Sequence, residues 1–448
     1  MIIFNILTTI FGLHQIFFWL YWFQVKEYRL DRFLSSLKED WRWLVVEQWN
    51  LRRWFRPKLT LRSGLTLLLA VAPIPLEFAL LENKFLLFLV FAPFQAVLAN
   101  IFFAPVFGWL KKRIITQAKR KMAQFKGVVV VITGSFGKSS TKELLSWVLS
   151  KKFKVVKTAQ NHNTLIGVAE TILRDLSGDE DFFVVEAGAY KRGEIAEVCA
   201  LVKPGVGIIT GIGDQHLDLF GSLENIRKAK YELFEAIPKY GLKLLAGKDY
   251  RVSDLKSLKQ NKEFLEFYLG TKKCRVPVLG KALALNIAGA VKAARLLGLS
   301  VDEIANALNQ FPEGIFYPKL TKISKDIYLV DDNYSASLES FLSVLDYLKV
   351  YQGFKKIVVT PGIIELGEKS RQDHLMVGKA LVFVDKIIVT RANRFKELNR
   401  DGKAVLIKDF QKIIQVIKEE LKQKTVVLFK GRMPLGLIDA VVEIREKI

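Results

Sequence analysis

The sequence predicts an α/β protein with an N-terminal helical transmembrane region, a central P-loop ATPase-like domain and a C-terminal Rossmann-like domain. Three observations predict it. Three long apolar runs occupy the N-terminal quarter. The run Val128 to Ile132 feeds a glycine-bearing turn that opens a helical stretch. Beyond it, short apolar runs each end in a polar island, as strands do when a site lies at their C-terminal ends.

The chain of 448 residues is long enough for two or three domains. Its apolar runs span 1–23, 64–82 and 85–110. Each approaches the roughly 20 residues a helix needs to cross a bilayer. Pro73, Pro75, Pro93 and Pro105 interrupt the second and third runs, which therefore read as kinked spans or a re-entrant hairpin. Run 1–23 lacks the basic start and small-residue cleavage site of a signal peptide. Its Trp19, Tyr21, Trp22 and Phe23 read as an interfacial belt. Segment 24–62 and the stretch after 110 are rich in Lys and Arg, whereas the 83–84 link carries only Lys84. The positive-inside rule then gives three crossings with the N-terminus outside and the P-loop in the cytoplasm. The expected domains are a membrane region 1–123, a central domain 124–312 and a C-terminal domain 313–448, at a multi-pass inner-membrane location.

The net charge of +23 would suit nucleic acid, but much of it flanks the apolar runs, where Lys and Arg meet anionic headgroups. Arg42, Trp43, Trp49, Arg52, Arg53 and Trp54 fit a helix on that surface. Membrane lipids are the expected partner and nucleic acid is not. Cys199 and Cys274 form neither a CxxC pair nor a zinc spacing.

The turn itself is Thr133-Gly134-Ser135-Phe136-Gly137-Lys138-Ser139-Ser140-Thr141. Strand, glycine turn and helix N-terminus together place backbone N–H groups around an anion. Gly134, Ser135, Gly137 and Ser140 supply that cradle. Lys138 can reach the β- and γ-phosphates, and the Ser139 hydroxyl can ligate Mg²⁺. The turn is shorter than GxxxxGK[ST], and alone it leaves kinase, GTPase, motor and ligase open.

Four islands follow. Asn161-His162-Asn163-Thr164 reads as an ordinary Asn turn by itself. Glu186 ends the apolar run Phe182 to Val185, where a nucleotide site keeps an acid linked to Mg²⁺. His216 lies in Asp214-Gln215-His216-Leu217-Asp218, and Lys230 in Ala229-Lys230-Tyr231-Glu232. A lone Lys on an amphipathic helix is ordinarily a solvated charge. Three of the four histidines, His162, His216 and His374, fall inside such islands.

Read together, TGSFGKSSTKE, NHNTLIG, VVEAGAYKRGEIAE, DQHLDLFGSLENIRKAKYELF, DDNYSAS, PGIIELGEKS and LFKGR resemble the Mur ligase family, and most closely its MurF branch. The resemblance covers roughly 124–448. It implies that ATP phosphorylates a carboxylate and that an amine attacks the acyl phosphate to form an amide. Lys138 would steady the γ-phosphoryl. Ser139 and Glu186 would hold one Mg²⁺, and His216 and a carbamylated Lys230 a second. Asn161 and Asn163 would contact nucleotide and substrate. Asn286, Lys319, Asp332 and Tyr334 would meet the nucleoside and γ-phosphate. The family's adenine-side pattern is reduced to Asn286, and Lys319 stands where the family has arginine. Membrane spans stand where the MurF branch has a UDP-binding domain.

The resemblance implies an ATP-dependent carboxylate–amine ligase of peptidoglycan precursor synthesis, and the apolar runs would anchor it to the membrane. Its substrates would be a peptide or amino acid and a muramoyl-type or lipid-linked acceptor, with other cell-wall enzymes as possible neighbours. A ligase for another envelope polymer and an ATP-binding membrane scaffold are the competing readings.

Overall fold

The computed structural model describes residues 2–25, 28, 33, 57–72, 85–160, 162–213, 217–333, 337–363, 370–421, 424–433 and 436–443. The chain divides into two units, Met1–Gln117 and Ala118–Ile448.

In the first unit, helix α1 (Ile2–Val25) buries Ile16, Phe18, Leu20 and Phe23. They share a core with Ala70 of α2 (Leu61–Val71) and with Ala96 and Ala99 of α3 (Phe85–Met122). Thr60 and Ser63 cap α2 reciprocally, each side chain accepting the other's backbone N–H. The third run and the basic stretch after it form one helix: α3 runs unbroken for 38 residues. A re-entrant turn in that run is therefore excluded. Pro93 and Pro105 each remove only one donor from a long ladder, and apolar helices tolerate that loss. Among the described residues one helix, 94–122, is long and apolar enough to cross a membrane. Of the second run, the described part is helical through Val71, and residues from 73 on lie outside the described residues.

The second unit opens with a parallel sheet in the order β2-β3-β1-β4-β5. These strands are β1 (Val128–Thr133), β2 (Val155–Lys157), β3 (Phe182–Glu186), β4 (Val206–Ile209) and β5 (Leu242–Leu245). β1 is central, which is why it is a continuous valine run: both faces are covered. Val130 and Ile132 pack with Leu144, Leu145 and Val148 of α4 (Lys138–Ser150) and with Ile287 and Ala290 of α9 (Leu283–Leu296). The alanines of α9 let it approach α4 closely. Helices α5 (Leu165–Asp175), α6 (Glu194–Val202), α7 (Leu217–Phe220) and α8 (Leu223–Ala236) complete the crossovers. An antiparallel sheet of β6 (Lys256–Gln260), β7 (Leu265–Leu269) and β8 (Lys272–Val276) follows.

The C-terminal part is a six-stranded sheet in the order β13-β12-β11-β14-β10-β9. It comprises β9 (Lys319–Ser324), β10 (Ile327–Asp332), β11 (Lys355–Thr360), β12 (Lys386–Val389), β13 (Ala404–Leu406) and β14 (Thr425–Lys430). All pairings are parallel except that of β9 with β10. Separate apolar clusters cover its two faces, one around Val330, Phe341 and Val358, the other around Leu329, Ile357 and Val427. Ligands in such doubly wound sheets bind outside the carboxyl ends of the strands, here Asp332, Thr360 and Lys430.

The two α/β parts of this unit are joined by buried contacts. Leu279, which follows β8, belongs to the C-terminal core. The Tyr347 hydroxyl donates to the Lys262 carbonyl, and Lys262 Nζ sits 4.3 Å from the Phe354 ring centroid and 5.3 Å from that of Tyr328.

Candidate active site

The phosphate loop is shaped by two backbones that side chains resist. Gly134 has φ +151° and Gly137 φ +78°. A Cβ on Gly134 would lie 2.3 Å from Thr210 Oγ1, and one on Gly137 2.2 Å from Asn286 Oδ1. Asn286 on α9 thus lies directly against the loop. Gly137 caps α4, so the N–H groups of Lys138, Ser139 and Ser140 open that helix toward the loop.

Ser135 is turned to a neighbouring backbone rather than outward. Its N–H donates to the Gly211 carbonyl at 2.8 Å, and its hydroxyl exchanges 3.0 Å bonds with Gly213. The strap after β4 is thereby tied to the loop. Lys138 Nζ donates to the carbonyls of Gly134 (2.9 Å) and Ser135 (3.4 Å). Its desolvation lowers its pKa, and the negative charge of Glu186 opposes that.

Glu186 ends β3 and is 3 % exposed. Its Oε1 accepts from Asn163 Nδ2 at 3.2 Å, and its N–H donates to Thr158 Oγ1 at 3.0 Å. The Gly188 N–H holds the Asn163 carbonyl at 2.8 Å. Lys142, one turn beyond Lys138 on α4, places Nζ 3.5 Å from Glu186 Oε2.

Lys230 is buried on α8. Burial brings its pKa down to about 7, Lys138 pushes the same way, and Glu232 and Glu194 oppose. Lys230, Lys138, Ser135, Asn163 and Tyr190 line one small cavity with Gly188 and Ala189. Glu232, two residues on, accepts from the N–H groups of Gly193 (2.7 Å) and Ala196 (3.1 Å) at the start of α6. That cap pins α8 beside the cavity.

The structure therefore gathers Ser135, Lys138, Asn163 and Lys230 in one place, with Glu186 behind Asn163 and Asn286 against Gly137. Ser139 and Ser140 form the first turn of α4. Asp332 and Lys319 belong to the C-terminal sheet. The Asp332 carboxylate is engaged inside the protein, 2.6 Å from the buried Lys430 Nζ. Lys319 Nζ lies 5.0 Å from the Tyr317 ring centroid. Asn161, His216 and Tyr334 lie outside the described residues. His374 is a tie: Nε2 accepts from the Ile363 N–H at 3.0 Å, and Nδ1 meets the Ser370 carbonyl at 2.6 Å.

The sequence reading missed Lys142, Thr158 and Tyr190. Only Lys142 left a signal, its i+4 spacing from Lys138 on one helix face. Glu186 and Ser139 suit a Mg²⁺ carried by nucleotide phosphates, because that ion takes one or two protein oxygens and keeps waters. Among the described residues no group of three His, Cys, Asp or Glu side chains could hold a metal by itself.

Residues 132–273 match the Mur ligase middle domain, and 319–433 match the Mur ligase, glutamate ligase domain. The UDP-N-acetylmuramoyl-tripeptide–D-alanyl-D-alanine ligase of Synechocystis sp. is 29% identical over 332 residues, covering 69% of this chain and 72% of that protein. The crystal structure of MurF ligase from Thermotoga maritima in complex with ADP is 29% identical, with a TM-score of 0.64 over 75% of this chain and 83% of that one. MurF from Acinetobacter baumannii is 25% identical, with a TM-score of 0.66 over 74% and 80%.

Proposed function

We propose that this chain, which belongs to the Mur ligase family and is an ATP-dependent, ADP-forming carboxylate–amine ligase, acts as a membrane-anchored MurF-type enzyme of peptidoglycan precursor synthesis. One observation carries the reading. Lys138, Asn163 and the buried Lys230 share a cavity at the strand ends, with Glu186 directly behind it.

A carboxylate oxygen of the muramoyl-type substrate attacks the γ-phosphorus of ATP. The bond to the bridging oxygen breaks, and ADP leaves. The amine of an amino acid or dipeptide then attacks the acyl carbon. Phosphate leaves, the amine loses a proton, and the amide remains. Lys138 neutralises charge on the transferring phosphoryl group. Glu186 and Ser139 would hold Mg²⁺, which would offset the repulsion between two anions. A second ion, as the resemblance implies, would be held by His216 and by Lys230 once carbamylated.

Lys230 suits modification by CO₂. With a pKa near 7, much of it is a neutral amine at neutral pH. Addition of CO₂ and loss of a proton give a carbamate anion, which would sit favourably near Lys138. The membrane reading rests on helix 94–122. Its exposed Phe94, Leu98, Phe102, Val106 and Trp109 lead into Lys111, Lys112 and Arg113, an apolar face ending in an interfacial aromatic and a basic cluster. The acceptor would then be lipid-linked.

The test is ADP release with muramoyl-tripeptide, in UDP-linked and lipid-linked forms, and D-alanyl-D-alanine. Release only when both carboxylate and amine are present, with a product of the summed mass less water, is the expected result. ATP turnover indifferent to both would remove the ligase assignment, and a different polymer precursor as product would redirect it.

A further inference from the structure

We propose that Lys142 is a positioning residue for the nucleotide-borne cation, locking the Glu186 carboxylate so that its Oε1 stays on the cavity side. The proposal rests on the reading of Glu186 as a Mg²⁺ ligand.

Lys142 is 1 % exposed, a burial rare for lysine unless it is paired. Its Nζ lies 3.5 Å from Glu186 Oε2 and 3.5 Å from Glu143 Oε1. Glu143 is also paired with Lys157 on the neighbouring β2. Its charge is therefore shared, and it does not neutralise Lys142 alone.

The two oxygens of Glu186 are held by different partners. Lys142 attracts Oε2, while Asn163 donates to Oε1. Asn163 is a wall of the cavity and Lys142 is not. The contact that ties Lys142 to the site is its pairing with Glu186. Lys138 and Lys142 share a helix face one turn apart. The first serves the phosphate loop, and the second anchors the acid at the end of β3. A buried carboxylate without a fixed cation pays a desolvation penalty and loses its single orientation. Removing groups that orient a metal-ligating carboxylate typically lowers metal affinity or activity by about 10- to 100-fold.

The experiment uses the full chain with ADP and Mn²⁺, reading bound Mn²⁺ by electron paramagnetic resonance. The variants are Lys142→Met, Lys142→Arg, Glu186→Gln and the Lys142→Met/Glu186→Gln double. Lys142→Met should weaken Mn²⁺ binding about tenfold. It should raise by a similar factor the Mg²⁺ needed for half-maximal ADP release, leaving KM for the amine unchanged. Lys142→Arg should recover most of both. Should Lys142→Met fail to fold with Glu186 unpaired, the double variant removes that charge and should bind Mn²⁺ as Glu186→Gln does. A further tenfold loss in the double, or Lys142→Met within twofold of the parent while Glu186→Gln loses affinity, overturns the role of Lys142 and leaves Glu186 a ligand. Unaltered Mn²⁺ binding in Glu186→Gln overturns both.

Discussion

Lys430 and Asp332 face one another across adjacent parallel strands, with Nζ 2.6 Å from Oδ2 and the lysine wholly excluded from solvent. Ser340 accepts a second bond from the same ammonium at 2.6 Å. The pair fixes the carboxyl ends of β10 and β14 against one another. Breaking it leaves a buried charge, which costs about 3–5 kcal/mol. Lys430→Met should therefore lower stability by that amount, and a Lys430→Met/Asp332→Leu double should regain most of it. Urea unfolding of the three proteins checks the non-additivity; equal losses in single and double would disprove a charge-based coupling.

Lys230 makes stability depend on pH. Its folded pKa, about 7, lies below the 10.5 of a free lysine side chain. Between those values the unfolded chain binds the extra proton, so stability rises with pH by about 1.4 kcal/mol per unit at most. Below pH 7 both states are protonated and the burial cost is constant. Lys230→Met should be flatter from pH 7 to 9.5 without bicarbonate. Parallel urea midpoints for the two proteins across that range would contradict the depressed pKa.

The same lysine should take up ¹³C-labelled bicarbonate and give a carbamate carbon resonance that Lys230→Ala lacks. Activity of the parent should rise with added bicarbonate. A resonance that persists in Lys230→Ala would place the modification elsewhere.

Gly137→Ala should impair nucleotide binding. The new Cβ would be 2.2 Å from Asn286 Oδ1, and the φ of +78° is left-handed. That conformation alone costs roughly 1–2 kcal/mol, and Asn286 must also move. Calorimetric titration with ADP should show at least a tenfold loss. An affinity equal to the parent would mean that the loop adapts freely.

Lys262→Ala should loosen the junction between the two α/β parts. Its ammonium lies over Phe354, Tyr328 and Tyr351, contacts of about 0.5–2 kcal/mol in total. Scanning calorimetry should show the unfolding of the two parts separating, with Lys262→Arg closer to the parent. A single unshifted transition would deny the contact any coupling role.

The sequence by itself determined the local elements and the phosphate loop. The Val128 to Ile132 run, short, β-branched and bounded by glycine, reads as a strand covered on both faces, and Gly134 and Gly137 sit at turns that other residues resist. Glu186 at the end of an apolar run was legible for the same reason: buried strands expose their chemistry at their ends. Tertiary structure alone decided the partners. Nothing local says that Asp332 would be held by a lysine 98 positions away, nor that α9 would press Asn286 onto Gly137. Nothing local turns Lys230, a solvated charge on most helices, into a buried amine near Lys138. Prolines 93 and 105 suggested interruption, yet the ladder of a long apolar helix absorbed both. Periodicity encodes which face of an element is buried. Which element covers that face is settled only when strand order brings distant segments together, and with them the charges that tune one another.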